Sequence, residues 1–522
     1  MPTRRGGAEL NIANGIREFA VATPRAVAVV DGERSLTYAA LDERSSRLAN
    51  ALLGAGLGAG DRVAIVLGNR LEYPEIAAGL AKAALPSVPI NPRLTAPEVA
   101  YILSHSGAKA VILDDGIAAA VAPGVESCRI AHVLSLSGTS IGTDYERVLE
   151  QAAPVDPRAA VDETEPFTIC YTAGTTGKPK GVLISHRSRS LTFYCTALEW
   201  GLGPGRRTVA VAPMYHGAGF AFAYAAVHTG GSVSMLRAFD PEALLRSIAL
   251  FRPHAVFLVP THLQMVRSLG EAALRAHDLS SLEVIYVNAA PMPQELKEWT
   301  IGALPQVGLH ELYGSTEASI VTNLRPADQL RKQRCVGPPW FMTEIRLLDA
   351  AGRQVGVGEP GELYSRSPFV FRGYLDDPEA TAAATTDDGF VSAGDVAVVD
   401  DENYVYIVDR IRDMIITGGV NVYPREVEET LHGHPRVADV AVIGRPDERW
   451  GERVTAIVVA RGGPPPAGEE LIDFCRGRLA GFKIPKEIVY VDALPRSAAG
   501  KILKRELRDR LGRVPTAEGR GG

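Results

Sequence analysis

The sequence predicts an α/β protein, with a large N-terminal domain of parallel-rich sheets flanked by helices and a small α+β C-terminal domain. Three observations carry that prediction. Short apolar runs alternate with amphipathic segments through the first four-fifths of the chain. At 522 residues the chain is long enough for more than one core. Near residue 410 the texture changes, and a second unit of about 110 residues follows.

The runs Ala64–Leu67, Val88–Ile90, Ala110–Leu113, Val209–Ala212, Ala255–Val259 and Val284–Val287 read as buried strands. Tyr38–Leu53 and Pro97–Ser104 read as amphipathic helices between them. Alternating β and α elements argue for parallel sheets covered by helices. Gly54–Gly60 is glycine-rich but follows a helix and precedes a strand, the reverse of a dinucleotide-binding turn, so it reads as a helix stop. In the second unit, a charged run at 409–413 precedes apolar Met414–Ile416 and Gly418-Gly419. A helix is expected at Pro424–Leu431, strands at Asp439–Ile443 and Thr455–Val459, and a last helix from near Lys501. The tail 513–522 is expected to be flexible. The run near 410 is either a hinge or an ordinary βα turn.

Composition excludes several classes. About 46% apolar and 22% charged residues are ordinary for a soluble globular protein. A net charge of −6 without a long basic stripe argues against nucleic acid as a partner. Five scattered cysteines without a Cys-x-x-Cys favour reduced thiols in a cytoplasmic protein. The N-terminus has no apolar signal core, and the apolar stretch near 217–227 is too short for a membrane span. His432 and His434 lack a third metal ligand and read as a helix end before Pro435. Monomer and homodimer are both compatible with the sequence.

The most informative stretch is Tyr171–Val182. It holds three glycines, three threonines and two of the chain's ten lysines. Glycine lets backbone approach a ligand closely. Backbone N–H groups, hydroxyls and ammonium groups are the donors that hold polyphosphate. A mobile surface hairpin is the alternative. Pro179 follows Lys178, so the stretch does not open a helix as a Walker loop does. The following Gly181–Ser185 looks like a strand, which makes this a loop between two strands.

Four further motifs follow in order: Tyr313–Ala318 (Tyr-Gly-Ser-Thr-Glu-Ala), Gly394-Asp395, Asp409–Ile415 (Asp-Arg-Ile-Arg-Asp-Met-Ile) and Pro495–Lys501 (Pro-Arg-Ser-Ala-Ala-Gly-Lys). Together with the loop they resemble the adenylate-forming superfamily over nearly the whole chain. Its members include acyl- and aryl-CoA synthetases, peptide-synthetase adenylation domains and beetle luciferases. The resemblance implies a two-step reaction. A carboxylate attacks the α-phosphate of ATP to give an acyl-adenylate and pyrophosphate; a thiol, usually that of coenzyme A, then displaces AMP.

The resemblance also implies roles. Thr172, Gly174, Thr175, Thr176, Gly177, Lys178 and Lys180 match the phosphate-gripping loop, with Ala173 where many relatives carry serine. Tyr313 matches the aromatic residue that packs on adenine, and Glu311, Leu312, Gly314 and the Ala289-Ala290 turn line the same pocket. Thr316 matches the α-phosphate contact. Glu317 matches the carboxylate that binds Mg²⁺, against the plainer reading of a helix N-terminal carboxylate. Asp395 and Arg410 match the ribose contacts; Ala393 stands where many relatives carry threonine. Arg412 falls at the hinge position, which divides the chain into 1–411, holding the ATP and acid site, and a mobile C-terminal domain 412–522.

Lys501 matches the catalytic lysine that approaches the substrate carboxylate and α-phosphate. A solvated C-terminal lysine is the alternative. Gly418, Gly419 and Trp450 border the pantetheine path by resemblance. His216 matches the residue that gates this path and contacts the carboxylate, against a satisfied core histidine. Small residues in the pocket-forming segments, including Gly217, Ala218, Gly219 and Ala223, leave room for a bulky, aromatic or medium- to long-chain acid. Three functional readings stand: an acid–CoA ligase, an acyl-AMP ligase that loads the phosphopantetheine of an acyl carrier protein, and a non-catalytic acyl- or nucleotide-binding homologue.

Overall fold

The computed structural model describes residues 9–172, 179–410, 413–417, 420–447, 449–476, 478–496 and 502–512. They form two compact units. The first runs to Glu344 and takes in Ser365–Val391; the second holds Ile345–Tyr364 and the chain from Ser392 onward.

The first unit contains two eight-stranded sheets. In one, strands Val27–Asp31, Ser232–Met235, Arg207–Ala210, Ala255–Leu258, Val284–Val287 and Gly308–Ser315 pair in parallel. Antiparallel strands Arg34–Thr37 and Ser319–Leu324 close its two edges. In the other, Pro166–Thr172, Ser87–Pro89, Val63–Val66, Ala110–Asp114, His132–Leu136 and Thr143–Asp144 are parallel neighbours. Lys180–Ser185 and Gly373–Tyr374 extend it antiparallel at one edge. All six apolar runs expected to be strands are strands, within one or two residues at their ends.

Strand side chains alternate between faces, and the cores follow that period of two. Val63 and Ile65 join the largest core, whereas Ala64 and Val66 join the core on the opposite face. Ala255 and Phe257 likewise face the largest core, and Val256 and Leu258 face a third. The largest core draws on both sheets and on the helices Tyr38–Gly54, Glu72–Lys82 and Gly217–His228. Sheets buried on both faces explain why their strands read as continuous apolar runs.

Helix boundaries have local causes. Thr37 caps Tyr38–Gly54 by accepting from the Ala40 N–H at 3.3 Å. Thr95 and Glu98 form a capping box at Ala96–Ser106, and Gly107 ends that helix in the left-handed region. The Gly54–Gly60 run lies between the first of these helices and the strand at Val63, as a helix stop.

The second unit contains a four-stranded sheet, Glu344–Leu348, Gly361–Arg366, Val391–Val399 and Val405–Arg410, and a five-stranded sheet. The five-stranded sheet is built on a long hairpin, Val437–Asp447 with Gly451–Ala460. Pro424–His432 and Gly468–Cys475 pack on one face beside Val440, Val442, Ala456 and Val458; Lys504–Gly512 packs on the other beside Ala441, Ile443 and Ile457. The expected helix at Pro424 and both expected strands are present, and His432 ends its helix. All five cysteines are free. Among the described residues no helix is long and apolar enough to cross a membrane.

The N-terminal segment is clamped by two buried histidines. The Ile12 N–H donates to His186 Nδ1 at 3.4 Å, and His228 Nδ1 lies 3.0 Å from the Ile12 carbonyl. Burial pushes His186 down to about 3, and burial pushes His228 down to about 4, against a usual 6.5. Each ring therefore binds its proton more weakly folded than unfolded. Stability is full above pH 6.5 and falls as pH drops toward 4, by at most about 1.4 kcal/mol per pH unit per ring. His228→Gln is expected to flatten the fall in melting temperature between pH 6.5 and 4; an unchanged slope would remove His228 from the acid response.

Candidate active site

The phosphate-loop motif is flanked by two antiparallel strands, as its sequence predicts. Tyr171 pairs with Gly181 and Thr172 with Lys180. Both flanks are anchored to the helix Ala96–Ser106. The Tyr171 hydroxyl lies 2.8 Å from His105 Nδ1, and the Tyr101 hydroxyl donates to the Pro179 carbonyl at 3.0 Å. Ala173, Gly174, Thr175, Thr176, Gly177 and Lys178 lie outside the described residues, as do Arg412, Gly418, Gly419 and Lys501.

The Tyr-Gly-Ser-Thr-Glu motif forms a tight hairpin. Ser315 pairs with Ser319, which leaves Thr316, Glu317 and Ala318 as the turn, and the Ala318 N–H donates to Ser315 Oγ at 2.9 Å. A Cβ on Gly314 would lie 1.9 Å from the Ser319 carbonyl oxygen, so only glycine fits there. Tyr313 to Glu317 are half-buried, whereas Leu309 and Leu312 behind them are buried. A rigid strand thus presents the motif at its end.

Glu317 is held from the other sheet. Its carbonyl accepts from the Phe371 N–H at 2.7 Å, and its Oε1 accepts from the Tyr374 hydroxyl at 3.0 Å. Burial, and then the Glu317 charge beside it, push the Tyr374 phenol well above its usual range, so it remains a donor. Lys180 Nζ stands 5.1 Å from the centre of the Tyr374 ring and 3.4 Å from Asp377 Oδ2. Lys180, Tyr374 and Glu317 therefore form one network. Tyr374 was not among the residues singled out from the sequence; its only signal was an Arg-Gly-Tyr-Leu turn after the apolar run 369–371. The Tyr374 hydroxyl occupies Oε1, so Oε2 is the oxygen a hard cation would take.

Glu311 contacts the chain just after the Ala289-Ala290 turn. Glu311 Oε1 accepts from the Met292 N–H at 3.3 Å, and its Oε2 lies 2.7 Å from Lys297 Nζ. Both side chains of that ion pair are buried. Ala289 has φ +76, a conformation costly for alanine, and its N–H donates to Asn288 Oδ1 at 2.6 Å. Glu311 thus fixes the chain just beyond this strained turn, which follows the strand next to its own. Lys297 was missed because a lysine on an amphipathic helix ordinarily reads as solvated.

His216 is the N-cap residue of Gly217–His228, and its ring lies 4.6 Å from that of Tyr215. A Cβ on Gly219 would lie 2.1 Å from the Pro213 carbonyl oxygen. Gly219 is therefore small because the helix presses on the backbone at 213, and Ala223 is packed in the core. Their small size thus has a packing cause, which weakens them as evidence for a roomy acid pocket. Gly217, with no atom within 4 Å of its Cβ position, still leaves room.

In the second unit Asp395 is buried and its strand pairs it with Arg410. Gly394, at φ +74, donates its N–H to Ser392 Oγ at 2.9 Å, and Ser392 Oγ donates to Glu362 Oε1 at 2.5 Å. The carboxylates flanking the Arg412 position are tied to the following helices, Asp409 by the Arg425 N–H at 2.9 Å and Asp413 by Arg508 at 2.8 Å. Lys504 lies 2.8 Å from Glu428. Burial pushes its ammonium down, but Glu428, Asp409 and Asp413 outweigh that and raise it. Lys504 is thus committed to a fold contact. Trp450 is exposed, with the Arg449 guanidinium 4.7 Å over its ring and its N–H on Asp447 Oδ1 at 3.0 Å.

Residues 16–375 match the AMP-binding enzyme family, and residues 426–501 match the AMP-binding enzyme C-terminal domain. The chain belongs to the AMP-binding enzyme family, the adenylate-forming superfamily that the motifs resemble. It is 38% identical to a feruloyl-CoA synthase of an Amycolatopsis species, over 94% of this chain and 97% of the relative. It is 35% identical to the fatty acid–[acyl-carrier-protein] ligase ScoC of Streptomyces coeruleorubidus, over 94% of each chain. Among solved structures, the amide bond synthetase McbA from Marinactinospora thermotolerans superposes with a TM-score of 0.87 at 30% identity, covering 96% of this chain and 99% of that one.

Lys297→Met leaves Glu311 buried without its cation and is expected to cost about 3–5 kcal/mol. Lys297→Met/Glu311→Gln is expected to recover most of that loss in urea unfolding; no recovery would show that the ion pair is not the source.

Proposed function

We propose that this chain is an ATP-dependent carboxylic acid–CoA ligase that works through an acyl-adenylate. The acid's carboxylate attacks the α-phosphate of ATP, forming acyl-AMP and releasing pyrophosphate. The CoA thiolate then attacks the acyl carbon, forming the thioester and releasing AMP. The observation that carries this reading is the Lys180–Tyr374–Glu317 network, set at the end of a buried strand opposite the flanks of the glycine- and threonine-rich loop. Similarity to a feruloyl-CoA synthase supports CoA as acceptor. Similarity to ScoC favours an acyl carrier protein as a second reading.

In this proposal the loop from Thr172 to Lys180 grips the β- and γ-phosphates, and Thr316 meets the α-phosphate. Tyr313, Leu312, Gly314, Ala289 and Ala290 border the base, with Glu311 holding that turn. Asp395 and Arg410 hold the ribose. Glu317 would hold Mg²⁺, which supplies charge neutralisation on the phosphates. His216 gates the thiol path, bordered by Gly418, Gly419 and Trp450. Lys501 donates to the crowded oxygens of the first step, a task suited to a compact ammonium on a flexible stem. The part 412–522 turns about Arg412 between the steps, first excluding water and then admitting the thiol.

Lys501→Ala is expected to lower adenylation, read as pyrophosphate release, by on the order of 10²–10³. Thioester formation from supplied acyl-AMP should be largely spared; equal loss in both half-reactions would contradict the division. Tyr374→Phe is expected to raise the Mg²⁺ concentration needed for half-maximal pyrophosphate release severalfold, and an unchanged Mg²⁺ titration would remove Tyr374 from that role. A panel of aromatic, branched and long-chain acids, each assayed with CoA and with carrier protein, tests the whole reading. Pyrophosphate release without a CoA thioester for any acid would sink the CoA assignment and leave the carrier-protein ligase.

A further inference from the structure

Among the described residues of the first unit, the buried lysines and arginines are paired, with one exception. Lys82 Nζ lies 2.6 Å from Asp42 Oδ1 and 2.9 Å from Ser46 Oγ. Lys297 pairs with Glu311, and Arg70 with Glu72 at 2.7 Å. Arg189, on the helix His186–Trp200, is only 7% exposed. Its Nε is buried with no hydrogen-bond partner among the described residues. The charge-bearing neighbour that acts on it is the Cys170 thiol. Burial raises that thiol, so it stays neutral and supplies no counter-charge.

A buried guanidinium without an anion costs several kcal/mol, and an apolar side chain of similar volume is the cheaper solution at such a position. A cation kept there implies an anion that arrives. Arg189 lines a cavity together with Cys170, Met214, His216, Gly217 and Phe220. The space open to the centre of a water molecule is about 20 Å³. That holds one water or a group of two or three heavy atoms, and excludes an alkyl chain or a ring. His216 and Gly217 also belong to the segment assigned above to the acid. The lining is otherwise mostly apolar, with Ile65, Tyr73, Phe167 and Phe220 in it, so Arg189 brings the one permanently charged group, a planar fork of donors, to this cavity. That fork matches a carboxylate, which it can grip with two parallel hydrogen bonds.

We propose that Arg189 binds a second carboxylate of the substrate acid, so that the enzyme selects dicarboxylic acids over their singly charged analogues. This rests on the ligase reading above. The reacting carboxylate goes to the adenylate, and the other is sheltered beside His216 against Arg189. Arg189 is then a specificity-determining residue.

The test compares aliphatic and aromatic dicarboxylic acids with their half methyl esters, by pyrophosphate release and by ligand-induced shifts in melting temperature. The wild type is expected to prefer the dicarboxylate. Arg189→Met should lower the kcat/KM ratio of acid to half ester by about 10²-fold, and Arg189→Lys should retain part of the preference. Arg189→Met should also unfold at the same or a higher temperature without ligand, and should lose the shift given by the dicarboxylate. A wild type that prefers half esters, or a ratio unchanged by Arg189→Met, would overturn the assignment. So would equal loss on both members of each pair, which makes Arg189 a partner of the reacting carboxylate. If no acid releases pyrophosphate, the ligase reading falls, and the melting shifts alone decide for or against Arg189.

Discussion

The hold of residues 371–374 on Glu317 is the constraint on which the candidate site depends. Glu317 belongs to the hairpin at one edge of the first sheet, and Tyr374 belongs to the short edge strand of the second. Its backbone and its carboxylate are both engaged, so the two eight-stranded sheets meet where the motifs cluster. The shared core joins the two sheets, and this double contact fixes the Tyr-Gly-Ser-Thr-Glu turn locally against the edge strand beside the loop flanks. A site that handles a polyphosphate needs donors fixed before the charge arrives, because reorganisation at that moment raises the barrier.

Glu311 and Glu317 sit six residues apart on one hairpin and do different work. Glu311 is buried and spent on Lys297 and the Met292 N–H, and it fixes the chain just beyond a turn in which Ala289 takes an unfavourable φ. Strain of this kind persists only where the surroundings over-determine it. Glu317 is half-buried, with one oxygen on Tyr374. In the proposed site the inner carboxylate would hold the fold around the base, and the outer one would be left to meet the metal. Lys504, held among three carboxylates, is likewise spent on the fold.

The sheets were legible because strands buried on both faces are continuous apolar runs, which is why Ala110–Leu113 and Val284–Val287 could be placed closely. The motif residues were legible because glycine, threonine and lysine are costly to concentrate without a use. The supporting residues were not. Lys297 and Tyr374 act through contacts with residues far away in sequence, and neither has an unusual neighbourhood. The entry of Ile345–Tyr364 into the second unit was equally hidden. A strand's choice of sheet is set by long-range pairing, which periodicity does not report.

What selects the acid depends on which small and which polar residues face it. Gly219 and Ala223 are explained by helix packing against Pro213 and the core, so a run of small residues is weak evidence for pocket volume. Volume also discriminates poorly, since one methylene in an apolar pocket is worth only about 1–3 kcal/mol. A buried charge discriminates far better, because an analogue that cannot pair it leaves the full desolvation cost unanswered. A single buried guanidinium beside His216 would therefore be a stronger determinant of acid choice than the small residues that first suggested a roomy pocket. A guanidinium kept among Cys170, Met214 and Phe220, where leucine would pack at less cost, would carry that selectivity in a single side chain.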